Sequence, residues 1–501
     1  MSADEASPLT IDDASLRRAV AATLLPGFVG TTLPDWLARR LRGGLGGVCI
    51  FGPNITSRAQ LRALTDAVYA ANPLAVVAID EEGGDVTRLY YEVGSPYPGN
   101  AVLGRLDDIA FTEHVAREVG WELRRAGCNL DFAPDVDINS NPDNPVIGAR
   151  SFGSSPDLVA RHSAAWTRGL QSAGIAASAK HFPGHGDTAQ DSHLAMPIVD
   201  RSLDQLRERE LVPFQAVVAA GARSVMTSHI MLPQLDRTSP ATLSGSILRG
   251  LLRDELGFDG VIVSDALDMA GASGERGIPE ASVGALAAGC DLLCLGTETT
   301  DDEVRAIEDA VVTAIATGRV DADAVRAASE RVRALAAALA DERTSIAVPG
   351  GESTPDEPVF DLDRVRSAIE VGPAVDDWVT AAETATIVQI DTAANIAVGI
   401  APWGPFAVPG AFSGHGVHRL TEEVDDTTGI PAGTPVLVVG KAIHRYAFAR
   451  AAIDRLRAAN PVLVVDMGWP SDDRRYADVA TFGSSRLMGA ALLAELRSRV
   501  S

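Results

Sequence analysis

Eight short apolar runs, rich in β-branched residues, recur through the first two thirds of the chain, with helix-like stretches between them. Runs that are apolar throughout are typical of parallel strands buried on both faces, and the stretches between them are long enough for crossover helices. The predicted strands are 27–30, 47–51, 75–79, 129–132, 175–179, 224–227, 260–263 and 291–295. Eight such units are most simply accommodated in a (β/α)8 TIM barrel.

A second, smaller domain is predicted after the barrel. Residues 344–357 are rich in Pro, Gly, Ser and acidic residues, which is typical of a linker. Beyond them, apolar runs at 384–390, 395–400, 435–439 and 461–465 alternate with helical patterns. The 501 residues, 46% of them hydrophobic, suffice for two cores. We therefore predict a barrel over 1–342, a linker over 343–375 and a C-terminal α/β sandwich domain over 376–501.

The net charge of −24 opposes binding to nucleic acid or to an anionic membrane surface. The acidic start of the chain is not followed by a signal-peptide apolar run, and no apolar stretch is long enough to span a bilayer. We expect a cytoplasmic protein with a small-molecule substrate; the sequence does not indicate its oligomeric state. The four cysteines lie in or beside apolar runs, so we expect buried, reduced thiols.

Polar residues follow five of the predicted strands directly. The carboxyl ends of barrel strands meet at one face, where barrel enzymes carry their active sites. Charged groups would be costly to desolvate there without a function. These residues are Asp80 to Glu82, Asp135 to Asp137, Lys180 with His181, Ser228 with His229, and Ser264 with Asp265.

The densest group is KHFPGHGDTAQDSH, residues 180–193, with one Lys, three His and two Asp. A polar surface loop or a divalent-metal site would also contain such residues, although the spacing matches no common zinc signature. Asp265 directly follows an apolar strand, so its backbone should be held rigidly, as a nucleophile requires. A second interpretation, for Asp265 and for Asp268, is that the side chain caps the start of a helix.

Several long motifs together resemble glycoside hydrolase family 3, in particular its β-N-acetylglucosaminidase branch, which includes β-glycoside phosphorylases. They stand in the family's order over the barrel. The matching segments are AIDEEGGDVTR at 78–88, FAP at 132–134, VIGARSF at 146–152, the loop at 180–193, and LGFDGVIVSDALDM at 256–269.

The resemblance implies a retaining, exo-acting enzyme for terminal β-N-acetylglucosaminides or β-glucosides. It gives Asp265 the role of nucleophile and His193, oriented by Asp191, that of acid/base. It places Asp80, Arg150, Lys180 and His181 on the sugar hydroxyls, and Arg88 and His229 remain open between substrate binding and structural pairing. Asp85 departs from the family, which often has a basic residue there.

We expect water to be the acceptor, with inorganic phosphate as the alternative. Water would make the protein a hydrolase, whereas inorganic phosphate as a co-substrate would make it a phosphorylase, because an imidazole repels phosphate less than a carboxylate does. No cofactor and no metal are expected. Two remote alternatives are a metal-dependent barrel hydrolase and a sugar sensor without catalytic activity.

Overall fold

The computed structural model describes residues 13–188, 197–350, 359–379, 385–392 and 397–500. The strands are β1 Leu24–Leu25, β2 Gly47–Ile50, β3 Val76–Ile79, β4 Leu130–Asp131, β5 Ala176–Phe182, β6 Ser224–Thr227, β7 Val261–Ser264, β8 Leu292–Cys294, β9 Glu370–Val371, β10 Thr386–Ile390, β11 Val417–Leu420, β12 Val436–Gly440, β13 Val462–Asp466 and β14 Val479–Ala480.

The α-helices are α1 Asp13–Ala21, α2 Asp35–Arg42, α3 Arg58–Ala71, α4 Asn100–Leu106, α5 Ile109–Ala126, α6 Pro156–Ser172, α7 Leu203–Glu208, α8 Leu211–Ala219, α9 Gly277–Ala288, α10 Asp301–Ala316, α11 Ala322–Ser345, α12 Leu362–Arg366, α13 Ala374–Val379, α14 Ala447–Ala459 and α15 Arg486–Val500. A further helical segment spans Ser246–Glu255. None of the helices among the described residues has the length and apolarity needed to cross a bilayer.

Strands β1 to β8 form one parallel sheet that curls into a barrel, in the order β1-β8-β7-β6-β5-β4-β3-β2. At the seam, the N–H of Cys49 donates to the carbonyl of Pro26 at 2.9 Å. The predicted TIM barrel is therefore confirmed. The first strand, however, lies at Leu24–Leu25 and not at 27–30; beyond its end, the N–H of Gly27 donates to the carbonyl of Gly296, which follows β8, at 2.9 Å.

Alternate strand residues fill the barrel interior, and helix α11 closes its N-terminal end. The interior cluster contains Cys49, Phe132, Met226 and Val263, together with apolar residues of α11. Arg331 of α11 pairs at 3.0 Å with Asp291, the residue before β8. With one end closed by this helix, the opposite rim is the end left open to a substrate. All four cysteines are free and buried, as predicted.

The second domain is built on a six-stranded sheet in the order β11-β10-β12-β13-β14-β9, parallel except for β9. Strand β9 comes from the predicted linker, so part of 343–375 belongs to this sheet. The predicted strand at 395–400 is not observed in its described part, where 397–400 form a turn. Strand β11 occupies the edge instead. The apolar pattern did not indicate this strand, because it contains two polar residues, His418 and Arg419.

Candidate active site

A cavity of about 600 Å³, here called the barrel cavity, lies at the carboxyl ends of the barrel strands. It brings together predicted site residues from separate strand ends. Those among its lining residues are Asp80, Arg88, Arg150, Lys180, His181 and Asp265. The position agrees with the general rule for barrel enzymes, whose chemistry occurs at this face.

Four charged side chains form an ion-paired floor in the barrel cavity. The Nζ of Lys180 lies 2.6 Å from Oδ1 of Asp80 and 2.8 Å from Oε1 of Glu82. Arg150 holds Glu82 with two bonds, Nη2 to Oε1 at 2.7 Å and Nε to Oε2 at 2.9 Å. Burial opposes ionisation of Glu82, but the charges of Arg150 and Lys180 outweigh it and hold its pKa well below the usual range. The floor is therefore charged and rigid.

Glu82 is the central residue of this floor, a role that the sequence motifs did not indicate. We expect Glu82→Gln to lower the free energy of unfolding by about 3–5 kcal/mol, because it leaves two buried cations with reduced compensation. Urea titration at neutral pH measures the change. Glu330→Gln, on the exposed face of α11, is the matched control and should change stability by less than about 0.5 kcal/mol. Equal stability of the two variants would contradict the role of Glu82.

Arg88 is held by the loop that follows β3 and by the second domain. Oε2 of buried Glu81 accepts the backbone N–H of Arg88 at 2.8 Å and that of Leu89 at 2.9 Å, and burial raises the pKa of Glu81 to about 7. Nη2 of Arg88 lies 3.7 Å from Oδ2 of Asp80 and donates to the carbonyl of Ala397 at 2.8 Å. Arg88 thus both lines the cavity and pairs structurally.

The second domain reaches the site, although every predicted site residue lies in the barrel. Ala397 lines the barrel cavity. Asp85, the departure from the family pattern, does not line the cavity: its Oδ1 accepts the backbone N–H of Ser484 at 2.7 Å, and Lys441 is its charged neighbour. The acidic residue at position 85 therefore joins the two domains.

Asp137 orients two histidines at the cavity wall. Its Oδ2 accepts from Nδ1 of His181 at 2.7 Å, and its Oδ1 accepts the backbone N–H of His185 at 2.6 Å. His181 lines the cavity while its Nδ1 is held by Asp137. Burial lowers the pKa of His185 to about 4, so this imidazole is neutral near pH 7 and is a poor proton donor.

Among the described residues, one group has the geometry to hold a metal ion. Ligand atoms of Asp135, Asp137 and His181 lie within 4.8 Å of one another. Asp137 is already bonded to His181, and Nη2 of Arg150 lies 3.5 Å from Oδ2 of Asp135. A divalent cation here would face the buried positive charge of Arg150 at short range, which opposes its binding.

Asp265 directly follows β7 and lines the cavity, as the motif predicts. Its backbone N–H donates to Oγ1 of Thr227 at 3.3 Å, and its Oδ1 accepts the N–H of Ala266 at 2.8 Å. These bonds orient the carboxylate at the end of the strand. Asp268, also at the cavity, accepts the N–H of Thr297 at 3.2 Å, and burial raises its pKa.

His229, which the sequence left open between substrate binding and structural pairing, does not line the cavity. Its Nε2 donates to the carbonyl of Ala266 at 2.9 Å, and its Nδ1 lies 2.9 Å from Oγ1 of Thr242. It is fully buried and supports the turn beside Asp265, which makes it a positioning residue. The predicted acid/base pair, Asp191 and His193, lies outside the described residues.

Comparison with known proteins identifies relatives over the barrel. Residues 32–335 match the Glycosyl hydrolase family 3 N terminal domain. A β-hexosaminidase of Stenotrophomonas maltophilia is 39% identical over 297 residues, covering 57% of this chain and 87% of that protein. β-Hexosaminidase A of Pseudoalteromonas piscicida is 40% identical over 286 residues, covering 52% of this chain, and the aligned part is 48% of that longer protein.

Solved structures extend the similarity to the second domain. A glycoside hydrolase family 3 β-N-acetylglucosaminidase from Paenibacillus sp. has a TM-score of 0.80, 30% identity and coverage of 97% of both chains. A β-glucoside phosphorylase shares the fold at a TM-score of 0.76 but only 19% identity, with 98% and 96% coverage.

Proposed function

Because the chain belongs to glycosyl hydrolase family 3, we propose that it removes terminal β-linked N-acetylglucosamine units by hydrolysis with retention of configuration. The observation that carries the proposal is the arrangement of the barrel cavity. Its ion-paired floor and the Asp265 carboxylate line one space of about 600 Å³. The relatives named as β-hexosaminidases and as a β-N-acetylglucosaminidase support the choice of donor sugar.

The ion-paired floor, together with Arg88, is suited to bind the hydroxyls of a single terminal sugar. Asp80 and Glu82 accept hydrogen bonds, while Arg150, Lys180 and Arg88 donate them. Because these groups are largely buried and already oriented by one another, a sugar that replaces their water loses little to reorganisation. We assign them to substrate binding, with His181 as a further contact.

The chemistry that we propose takes two steps. A carboxylate oxygen of Asp265 attacks the anomeric carbon, forming a glycosyl ester, while the glycosidic C–O bond breaks and His193 gives its proton to the leaving oxygen. A water molecule then attacks the same carbon, returns its proton to His193 and releases Asp265 as carboxylate. Asp191 stabilises the charged imidazole of His193 before the first step and after the second. No cofactor takes part in this scheme.

The proposed function is tested by product identification. We expect an aryl β-N-acetylglucosaminide to be cleaved to free β-N-acetylglucosamine at a rate that phosphate does not change, and an aryl β-glucoside to be a much poorer substrate. Nuclear magnetic resonance of the early products determines the anomeric configuration of the released sugar and shows whether it is a free sugar or a sugar 1-phosphate. A sugar 1-phosphate as the main product would make the protein a phosphorylase and contradict hydrolysis. Preference for the β-glucoside would contradict the donor.

A further inference from the structure

One sheet face of the second domain is covered in an unusual way at the edge formed by β10 and β11. Parallel sheets are normally packed on both faces, with crossover helices supplying the cover. Helix α14 covers one face, where Ile453 and Leu456 pack against Val388 and Val438. On the other face, the connection from β10 to β11 contains no α-helix in its described residues, 391–392 and 397–416. A loop with aromatic residues takes the helix's place.

This replacement leaves a space of about 960 Å³ over the sheet, here called the crossover cavity. It is larger than the barrel cavity, and three aromatic rings line it. The ring centroid of Phe406 lies 5.1 Å from that of Trp403 and 5.3 Å from that of Phe412. Two apolar side chains in its lining, Ile400 and Val417, are 80% and 42% exposed. Other residues of the protein therefore cover the apolar lining only in part.

Polar side chains stand beside the aromatic rings. Gln389 and Arg419 occupy paired positions of β10 and β11 and line the same cavity. Nε2 of Gln389 donates to Oδ1 of Asp391 at 2.8 Å, and Nε of Arg419 lies 3.8 Å from Oδ2 of Asp391. The Nζ of Lys441 lies 4.9 Å from the centroid of the Trp403 ring. The cavity thus combines apolar ring faces with alternating donors and acceptors.

The crossover cavity adjoins the barrel cavity. Ala397 lines the barrel cavity and Gly399 lines the crossover cavity. Two residues apart, their Cα atoms are separated by at most about 7 Å. The backbone N–H of Ile400 donates to the hydroxyl of Tyr91 at 3.3 Å, which fastens this segment to the barrel. A ligand in the crossover cavity is therefore held next to the catalytic face.

We propose that the crossover cavity is a second carbohydrate-binding site, which holds a β-linked N-acetylglucosamine chain without cleaving it. The choice of N-acetylglucosamine as the bound sugar rests on the proposed function. A pyranose presents flat C–H faces to aromatic rings and hydroxyls at its rim, and each hydroxyl both donates and accepts. Arg419, Asp391 and Gln389 provide the matching edge. At about 960 Å³, the crossover cavity is large enough for more than one sugar unit.

The first test measures kinetics with short and long substrates. Trp403→Ala and Phe412→Ala should each raise KM for the N-acetylglucosamine tetrasaccharide by roughly tenfold, since each removes one apolar contact face. Both variants should keep KM and kcat for an aryl β-N-acetylglucosaminide within twofold. Phe448→Ala is the matched control: it removes a half-buried ring of the same domain that lines neither cavity. Unchanged KM for the tetrasaccharide in both aromatic variants would overturn the proposal.

The second test measures binding with the barrel cavity disabled. In the full-length Asp80→Ala/Asp265→Asn protein, calorimetry should still detect the tetrasaccharide, and adding Trp403→Ala or the exposed Arg419→Ala should weaken it. Arg419 is 70% exposed, so its replacement does not threaten the fold. Absence of binding in the double variant would overturn the proposal. Failure of the wild type to cleave the aryl glycoside would instead overturn the proposed function. Calorimetric binding of the tetrasaccharide would still test the crossover cavity independently of catalysis.

Discussion

Asp265→Asn should reduce turnover of an aryl β-N-acetylglucosaminide by at least about 10⁴-fold, because an amide cannot form the glycosyl ester. Asp265 directly follows β7 and its carboxylate is oriented by the N–H of Ala266. KM should change little, since the ion-paired floor that binds the sugar is left intact. A fluorinated glycoside that slows the second step should label the wild type, and peptide mass spectrometry should find the label on Asp265.

Asp268→Asn is the matched control for this experiment. Asp268 lies three residues further along and also lines the barrel cavity, but its carboxylate is bonded to the N–H of Thr297. We expect it to lose less than roughly tenfold in turnover and to remain labelled at Asp265. A label on Asp268, or an active Asp265→Asn enzyme, would contradict the assignment of the nucleophile.

His193→Ala should slow substrates with poor leaving groups by roughly 100-fold to 10,000-fold, which is the usual contribution of general acid catalysis. A dinitrophenyl glycoside needs no protonation of its leaving group, so its first step should slow by no more than roughly tenfold. The glycosyl-enzyme should then accumulate, because the attacking water lacks its base. Azide, which needs no deprotonation, should restore turnover and give a β-configured glycosyl azide.

His185→Ala separates this role from a general disturbance of the loop. His185 is buried, and its pKa of about 4 leaves it neutral at working pH. Its replacement should slow both kinds of leaving group alike, with no rescue by azide. If His193→Ala behaves in the same way, His193 is a binding or structural residue, and another group at the barrel rim supplies the proton.

The pH dependence of stability follows from the charged floor. Because the charges of Arg150 and Lys180 keep the pKa of Glu82 depressed, the Glu82 carboxylate stays ionised as the pH falls toward the range in which carboxylates ordinarily protonate. The stability that this ion pairing provides is present above the unfolded pKa of Glu82, about 4.3, and is lost only as the pH falls through the lower pKa of the folded state.

The sequence by itself determined the barrel and most residues of its catalytic face. Eight apolar runs with helical stretches between them specify parallel strands, and barrel closure then brings the strand ends together. For this reason the positions of Asp80, Lys180 and Asp265 along the chain are enough to group them at one face. The prediction of the first barrel strand at 27–30 was wrong, because an apolar run does not show where the hydrogen bonding between strands begins and ends.

Only the tertiary structure decided which of these residues support one another and where the second domain contributes. The hydrogen bond between Asp85 and Ser484 joins residues 399 positions apart, and Arg88 reaches the carbonyl of Ala397 across 309 positions. Periodicity and local motifs indicate the secondary structure of each segment, but such contacts depend on how the helices and strands pack against one another. The central position of Glu82 and the crossover cavity beside Trp403 follow from that packing, so no local pattern could indicate them.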